Sequence, residues 1–118
     1  MSNRVPRWAQ KESTRESDIE QYLVRRVKEI GGKTYKWVSP AQRSVPDRLV
    51  MHEKFHGRTL FVELKAPGKT PTPAQTAMID GLIGMGHAVF VLDSKALVDE
   101  FIEDVCELYR IDAERPAK

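Results

Sequence analysis

The sequence predicts an α/β fold in which a mixed central β-sheet is flanked by helices. Two observations support this prediction. Apolar residues recur at helical spacing near both ends of the chain, and short apolar segments between them are bounded by proline and glycine. The predicted order is helix, three strands, helix, strand, helix. With 118 residues, 41% of them hydrophobic, the chain has the size of one ordinary domain with one core.

The first predicted helix covers residues 17–30 and ends at two glycines. Its apolar residues recur at three- and four-residue steps: Ile19, Leu23, Val27 and Ile30. Residues 1–16, which precede it, are polar and basic without periodicity, so we expect a flexible basic arm. Trp8 is the exception within this arm: its ring could dock on the domain or stack on a base, and we favour docking.

The middle of the chain favours strands. Three are predicted over residues 33–38, 48–52 and 58–65, separated by proline-containing and glycine-containing breaks, which suggests a meander. A second helix begins after Thr72, where Pro73 and Gln75 complete a typical helix start, and runs to about residue 84. A strand over residues 88–92 and an amphipathic helix over residues 94–109 follow, before a polar tail at 111–118.

Charge and composition limit the class of protein. Residues 1–92 hold 15 basic and 9 acidic side chains, and residues 93–118 hold 4 and 8. A basic body with an acidic end favours a phosphate-bearing partner. Because there is no long apolar run, we expect no membrane segment and a cytoplasmic location. The single cysteine, Cys106, excludes an internal disulfide and lies at core spacing in the last helix.

The third strand carries the candidate chemistry. Phe61, Glu63 and Lys65 share one face of it, so a carboxylate and an ammonium group project side by side. Charges at the end of a buried strand are costly without partners, and a divalent cation with oxygen ligands is a natural one. Asp47 precedes the neighbouring strand, where strand pairing would bring its carboxylate close to Glu63.

Phosphodiester hydrolysis needs an activated water and compensation for the charge that builds up on the phosphate. In this scheme Asp47 and Glu63 bind the metal, while Lys65 orients or deprotonates the water and contacts the phosphate. A Glu-x-Lys pattern alone is expected by chance in so charged a chain, and only its context on an apolar strand makes it informative.

Pro46-Asp47 followed by Glu63-Leu64-Lys65 on a strand resembles the PD-(D/E)XK signature of restriction-endonuclease-like nucleases. More narrowly, residues 17–92 resemble the virus-type replication-repair nuclease family, VRR-NUC. The matching residues are Glu20, Val24-Arg25-Arg26, Gly31, Phe61-Val62-Glu63-Leu64-Lys65, Gly68 and Gln75. One departure is Val45, because family members often have glycine before the proline-aspartate pair.

The resemblance implies a restriction-endonuclease-like core over residues 17–110 and a Mg²⁺- or Mn²⁺-dependent endonuclease acting on branched DNA such as four-way junctions. The implied catalytic residues are Glu20, Asp47, Glu63, Lys65 and Gln75. The implied metal ligands are Asp47, Glu63, the Leu64 backbone carbonyl and, through water, Glu20. Stand-alone members of the family are small and largely phage or prophage encoded, which suggests a homodimer, and no small-molecule cofactor is expected.

Two of these residues have an alternative role at a helix start. Glu20 fits a capping box with Ser17, and Gln75 fits one with Thr72. The family places active-site residues at both positions, and we favour that role. The alternative function for the whole chain is a catalytically silent DNA-binding module, or a nuclease subunit, of the same fold.

Basic side chains near the predicted site are candidates for contacting DNA. They are Lys69, Arg25, Arg26 and Arg43. Lys69 would stand at the rim of the site, in the turn after the third strand. Arg25 and Arg26 fit a solvated helix face equally well.

Residues 52–56 match the zinc-protease pattern H-E-x-x-H, which requires a helix. The flanking segments favour strand, and Gly57 follows at once, so we expect the tip of a hairpin and not a zinc site.

Overall fold

The structure of the chain is a computed structural model that describes residues 14–112. Three helices are present: α1 (Glu16–Glu29), α2 (Pro73–Gly84) and α3 (Lys95–Tyr109). Four strands are present: β1 (Lys33–Lys36), β2 (Arg48–Met51), β3 (Leu60–Leu64) and β4 (Ala88–Leu92). Their order along the chain is the predicted one. No helix within residues 14–112 is long and apolar enough to cross a bilayer.

The four strands form one mixed sheet in the order β1-β2-β3-β4. The first three strands pair antiparallel, which confirms the predicted meander. β4 pairs parallel to β3, because α2 carries the chain back to the starting end of the sheet. This topology makes β3 a central strand, and all five of its residues are buried.

The core lies on one face of the sheet, where α1 and α3 pack against each other. β3 contributes Leu60, Val62 and Leu64 to this core, so the predicted alternation along the strand is confirmed. Cys106 of α3 is buried in the same core. The opposite face of β3 is therefore the one that presents Phe61 and Glu63.

Helix α1 begins differently from the prediction. It starts at Glu16, one residue early, and the Asp18 carboxylate accepts a hydrogen bond of 2.8 Å from the Arg15 amide. The capping box at the start of α1 is therefore formed by Arg15 and Asp18. The predicted capping box of Ser17 and Glu20 is wrong. Residues 1–13, including Trp8, and residues 113–118 lie outside the described part of the chain.

The connection between β2 and β3 is a hairpin tip, as predicted. It contains a short 3-10 turn at Glu53–Phe55, and His56 has a left-handed backbone. His52 Nδ1 accepts a hydrogen bond from the Lys54 amide at 3.0 Å, while Nε2 lies 2.8 Å from the Ile30 carbonyl oxygen. Both ring nitrogens of His52 are therefore engaged with the backbone, which argues against a zinc site here.

Candidate active site

Asp47 and Glu63 lie at the same end of the two central strands, where β2 begins and β3 ends. The antiparallel register pairs Arg48 with Val62. Asp47, just before β2, therefore lies opposite Glu63 on β3. Asp47 Oδ2 also accepts a hydrogen bond of 2.7 Å from the Leu64 amide. This bond fixes the Asp47 carboxylate against the end of the strand that carries Glu63 and Lys65.

Glu63 is the buried charged residue of the core strand, with 1% of its surface exposed. Its Oε2 lies 3.6 Å from Lys65 Nζ. Its Oε1 is buried and has no hydrogen-bond partner among the residues that the structure describes. Burial and, to a lesser extent, the negative charge of Asp47 together raise the pKa of Glu63 to about 7, against the opposing effect of Lys65.

Asp47 and Glu16 add negative charge around Glu63. Burial raises the pKa of Asp47, although the hydrogen bond from the Leu64 amide opposes the shift. Desolvation raises the pKa of Glu16, and the charge of Asp47 adds to it. Glu16 was not among the predicted site residues, because the segment before residue 17 shows no periodicity that would place it on a helix facing the site.

Glu20 extends from α1 towards the same end of the central strands, but it contacts basic residues of the sheet. Its Oε2 accepts a hydrogen bond of 2.8 Å from Arg48 Nε and lies 3.5 Å from Lys36 Nζ. Arg48 also donates to the Thr34 hydroxyl at 3.2 Å. The sequence analysis missed Arg48, although its position directly after Asp47 is a signal that could have identified it.

Gln75 forms the predicted capping box at the start of α2. Its Oε1 accepts a hydrogen bond of 2.9 Å from the Thr72 amide, and its own amide donates to the Thr72 hydroxyl at 3.1 Å. The bond uses the side-chain oxygen only, so the Nε2 group keeps its capacity to donate. The active-site role of Gln75 remains a prediction.

The four basic candidates for DNA contact occupy different environments. Lys69 is exposed in the turn that follows β3, as predicted. Arg43 lines a surface depression of about 450 Å³ together with Trp37 and Asp47, so it lies close to the carboxylates.

Arg25 and Arg26 lie on α1, where their contacts are mainly within the protein. Arg26 forms ion pairs with Glu29 and with Asp99 of α3, which join the two helices. Arg25 is more exposed and lies over the ring of Tyr22, 5.1 Å from its centroid. Of the two, Arg25 is the freer to meet an external phosphate.

The oxygen ligands at this end of the central strands suit a hard divalent cation. Asp47 and Glu63 provide carboxylate oxygens, and Glu63 Oε1 is a buried acceptor that lacks a hydrogen-bond donor among residues 14–112. Within the same range, no group of three or more His, Cys, Asp or Glu side chains is arranged to hold a metal ion. A cation here would therefore take two side-chain ligands and complete its coordination with backbone oxygen or water.

Comparisons with known proteins identify the family of the chain. No family model matches the chain. A curated relative, described as "Putative nuclease p44" from Acyrthosiphon pisum secondary endosymbiont phage 1, is 52% identical over 83 residues, which is 70% of this chain and 87% of the relative. A solved structure described as "VRR_NUC domain" matches with a TM-score of 0.70 and 30% identity, over 77% of this chain and 97% of that chain. The chain belongs to the VRR-NUC family of the PD-(D/E)XK nuclease superfamily, as its fold and these two relatives show.

Proposed function

We propose that the protein is a metal-dependent endonuclease that hydrolyses phosphodiester bonds in DNA. The observation that carries the proposal is the buried carboxylate of Glu63, which has one unpartnered oxygen and stands beside Asp47 and Lys65. Burying such a group costs stability, so a functional reason for keeping it is expected. The description of the phage relative as a nuclease supports the same conclusion.

Asp47 and Glu63 would hold Mg²⁺ or Mn²⁺, with the Leu64 backbone carbonyl and, through water, Glu20 as further ligands. When bound, such a cation supplies an activated water and offsets the charge that develops on the phosphate. Glu20 already pairs with the basic side chains of Arg48 and Lys36. A water-mediated contact with the metal would therefore involve a carboxylate that these two side chains already hold in place.

Lys65 provides the positive charge that belongs to the chain itself. Its ammonium group is 3.6 Å from Glu63 Oε2 and largely buried, so it is already positioned next to the reacting groups. There it donates hydrogen bonds to a phosphate oxygen and holds the attacking water in place. The Leu64 amide keeps the Asp47 carboxylate from rotating away.

We further propose that the substrate is branched DNA, above all four-way junctions, and that the protein acts as a homodimer in the cytoplasm. One active site cuts one strand, and symmetric cleavage of a junction needs two sites in a fixed relation. A two-fold dimer supplies them, and such dimers are the commonest assembly of soluble proteins.

The test is a cleavage assay on labelled duplex, flap, splayed-arm and four-way-junction DNA with Mg²⁺, Mn²⁺ or EDTA. Asp47→Asn and Glu63→Gln should abolish cleavage while DNA binding persists or improves, because each removes a charge that repels phosphate. Lys65→Ala should reduce the rate strongly with little effect on metal affinity. His56→Ala, on the exposed hairpin tip, is the control and should cleave normally.

The same assay distinguishes the proposed nuclease from the alternative function. A wild-type protein that binds branched DNA and cuts none of the four substrates with either metal would be a silent DNA-binding module or a subunit that needs a partner. Cleavage at the wild-type rate by both carboxylate variants would instead remove Asp47 and Glu63 from the active site.

A further inference from the structure

A groove lies on the open face of the sheet, on the side away from the core. It has a volume of about 440 Å³, within the range of small-ligand pockets, roughly 300–1,000 Å³. The side chains that line it are mainly flat or apolar, with one cation: Trp37, Leu49, Met51, Arg58, Phe61 and His87. The described residues along its wall include no carboxylate.

The groove borders the candidate active site, because Trp37 lines both the groove and the depression that contains Asp47. Phe61 lies two residues before Glu63 on β3, so both side chains project from the same face. Trp37 is tied to the other carboxylate residue, because its amide donates a hydrogen bond of 3.0 Å to the Asp47 carbonyl oxygen. A DNA strand with its phosphate at Asp47 and Glu63 would therefore place a neighbouring nucleotide over this groove.

The chemistry of the groove suits a nucleobase and its phosphate. The rings of Trp37 and Phe61 have centroids 5.5 Å apart, and His87 meets Phe61 edge-on at 5.3 Å. Trp37 is half-buried and His87 is exposed, so both are open to a ligand. Arg58 stands at the rim, where its guanidinium donates to the Gly86 carbonyl at 3.2 Å. Aromatic platforms beside a cation are typical of proteins that bind single-stranded nucleic acid.

We propose that this groove binds an unpaired nucleobase of the substrate strand, which stacks on Trp37 while Arg58 faces a phosphate farther along the strand. The inference rests on the proposed nuclease function and narrows its substrate to branched DNA in which a nucleotide beside the scissile phosphate is unpaired or leaves the base stack at the branch point. A base inside an intact duplex has both faces covered by its neighbours, so the groove excludes it.

The experiment measures binding without cleavage, in a Glu63→Gln background with EDTA. Fluorescence anisotropy compares a labelled single-stranded oligothymidine, the same strand with abasic sites, and a duplex. Trp37→Ala should weaken binding of the oligothymidine on the order of tenfold and leave the abasic strand within about twofold. Trp37→Phe should keep most of the affinity. Arg58→Ala should weaken the normal and abasic strands equally, because it contacts phosphate.

His56→Ala is the matched control, since it removes an exposed ring at the hairpin tip that does not line the groove and should change no affinity. Thermal unfolding checks that each variant is folded, and His87→Ala, at an exposed position, gives the same comparison if Trp37→Ala does not fold. For Trp37→Ala, equal losses on the normal and abasic strands, or no loss on either, would overturn the proposal. So would a change of mass in light scattering with Trp37→Ala, which would assign the groove to a second copy of the chain.

These binding results do not depend on catalysis. If the groove binds bases and the wild-type protein cuts nothing with Mg²⁺ or Mn²⁺, the nuclease proposal fails and the groove stands. If the protein cleaves DNA and stacking is absent, only the groove proposal fails.

Discussion

The buried carboxylate of Glu63 carries a cost in stability at the candidate active site. A charged carboxylate in a nearly inaccessible position, beside the carboxylate of Asp47, is unfavourable, and Lys65 at 3.6 Å offsets only part of the cost. A leucine or valine at this position would satisfy the strand better. The cost is therefore localised at one side chain and can be measured there.

The pH dependence of stability provides the first prediction. The pKa of Glu63 is raised from 4.5 to about 7, so its contribution to stability is present below pH 4.5 and is lost as the pH rises to 7. In EDTA, Glu63→Gln should match the wild type at pH 4.5 and exceed it above pH 7 by up to about 3 kcal/mol. Chemical denaturation across this pH range measures the difference.

Adding Mn²⁺ at pH 8 should reverse the order, because a ligand that binds only the folded state stabilises it. The wild-type melting temperature should rise and that of Glu63→Gln should stay nearly constant. Glu107→Gln, at an exposed position of α3, controls for the loss of one acidic group and should respond like the wild type. Equal stabilisation of all three proteins by Mn²⁺ would show that the ion binds elsewhere.

Glu20 provides a second prediction at this scale. Its side chain is largely buried and pairs with Arg48 at 2.8 Å, so Glu20→Gln should cost about 1–3 kcal/mol of unfolding free energy. If Glu20 also acts on the metal through water, the variant should lose cleavage rate at temperatures where it remains fully folded. Denaturation and single-turnover cleavage, measured on the same sample, separate the two effects. A normal rate in the folded variant would restrict Glu20 to its structural role.

Among the secondary-structure elements, local signals predicted where each one lies but not what its polar ends contact. β4 occupies the predicted residues, and Thr72 and Ser94 cap α2 and α3 where the sequence placed their starts. The role of Glu20 was less predictable. A capping box depends on residues three apart, whereas its actual partner, Arg48, is 28 residues away and becomes a neighbour only when the sheet forms.

The first three predicted strands were longer than those observed for a related reason. The third was expected over residues 58–65, but β3 covers Leu60–Leu64, because its pairing with β4 spans these five residues and its pairing with β2 spans only Leu60–Val62. The residues on either side belong to the hairpin tip and to the candidate active site. The groove beside Trp37 was also beyond sequence reasoning, since it is assembled from β2, β3 and the three segments that connect β1 to β2, β2 to β3 and α2 to β4.

The start of α2 provides an element-scale prediction. Thr72→Ala removes one acceptor of the capping box and should cost about 1 kcal/mol of stability, with cleavage unchanged. Gln75→Ala should cost a similar amount and also reduce cleavage, if its Nε2 group donates to the substrate. Thermal unfolding and cleavage at a temperature well below the midpoint measure both. Matching behaviour of the two variants would assign Gln75 to the cap alone.

At the scale of the whole molecule, exposed apolar side chains mark a candidate contact surface. Near the β4 edge, several large apolar side chains are exposed: Ile83, Met85, Val91 and Leu108. Leu108 borders an apolar depression of about 200 Å³ between β4 and α3. Exposed apolar surface of this kind is where we expect the proposed homodimer to form.

Leu108→Arg should therefore convert the dimer to a monomer, because it places a charge in an apolar contact. Tyr35→Arg, on the opposite edge strand and half exposed, is the control and should remain dimeric. Light scattering at micromolar concentration measures the mass, and cleavage of a cruciform plasmid measures junction resolution. A wild-type monomer that cuts flaps and leaves junctions intact would contradict both the dimer and the preferred substrate.

The antiparallel pairing of β2 and β3 has a consequence for how the length of this chain can vary. Asp47 and Glu63 lie at one end of the hairpin and the turn at Glu53–Phe55 lies at the other, about 13 Å away for four residues of strand. Residues added to the turn would leave the carboxylates in place. A single residue added within β3 before Glu63 would turn that side chain into the core and Leu64 out of it. Insertions and deletions among relatives should therefore concentrate at the hairpin tip and be absent from the strand.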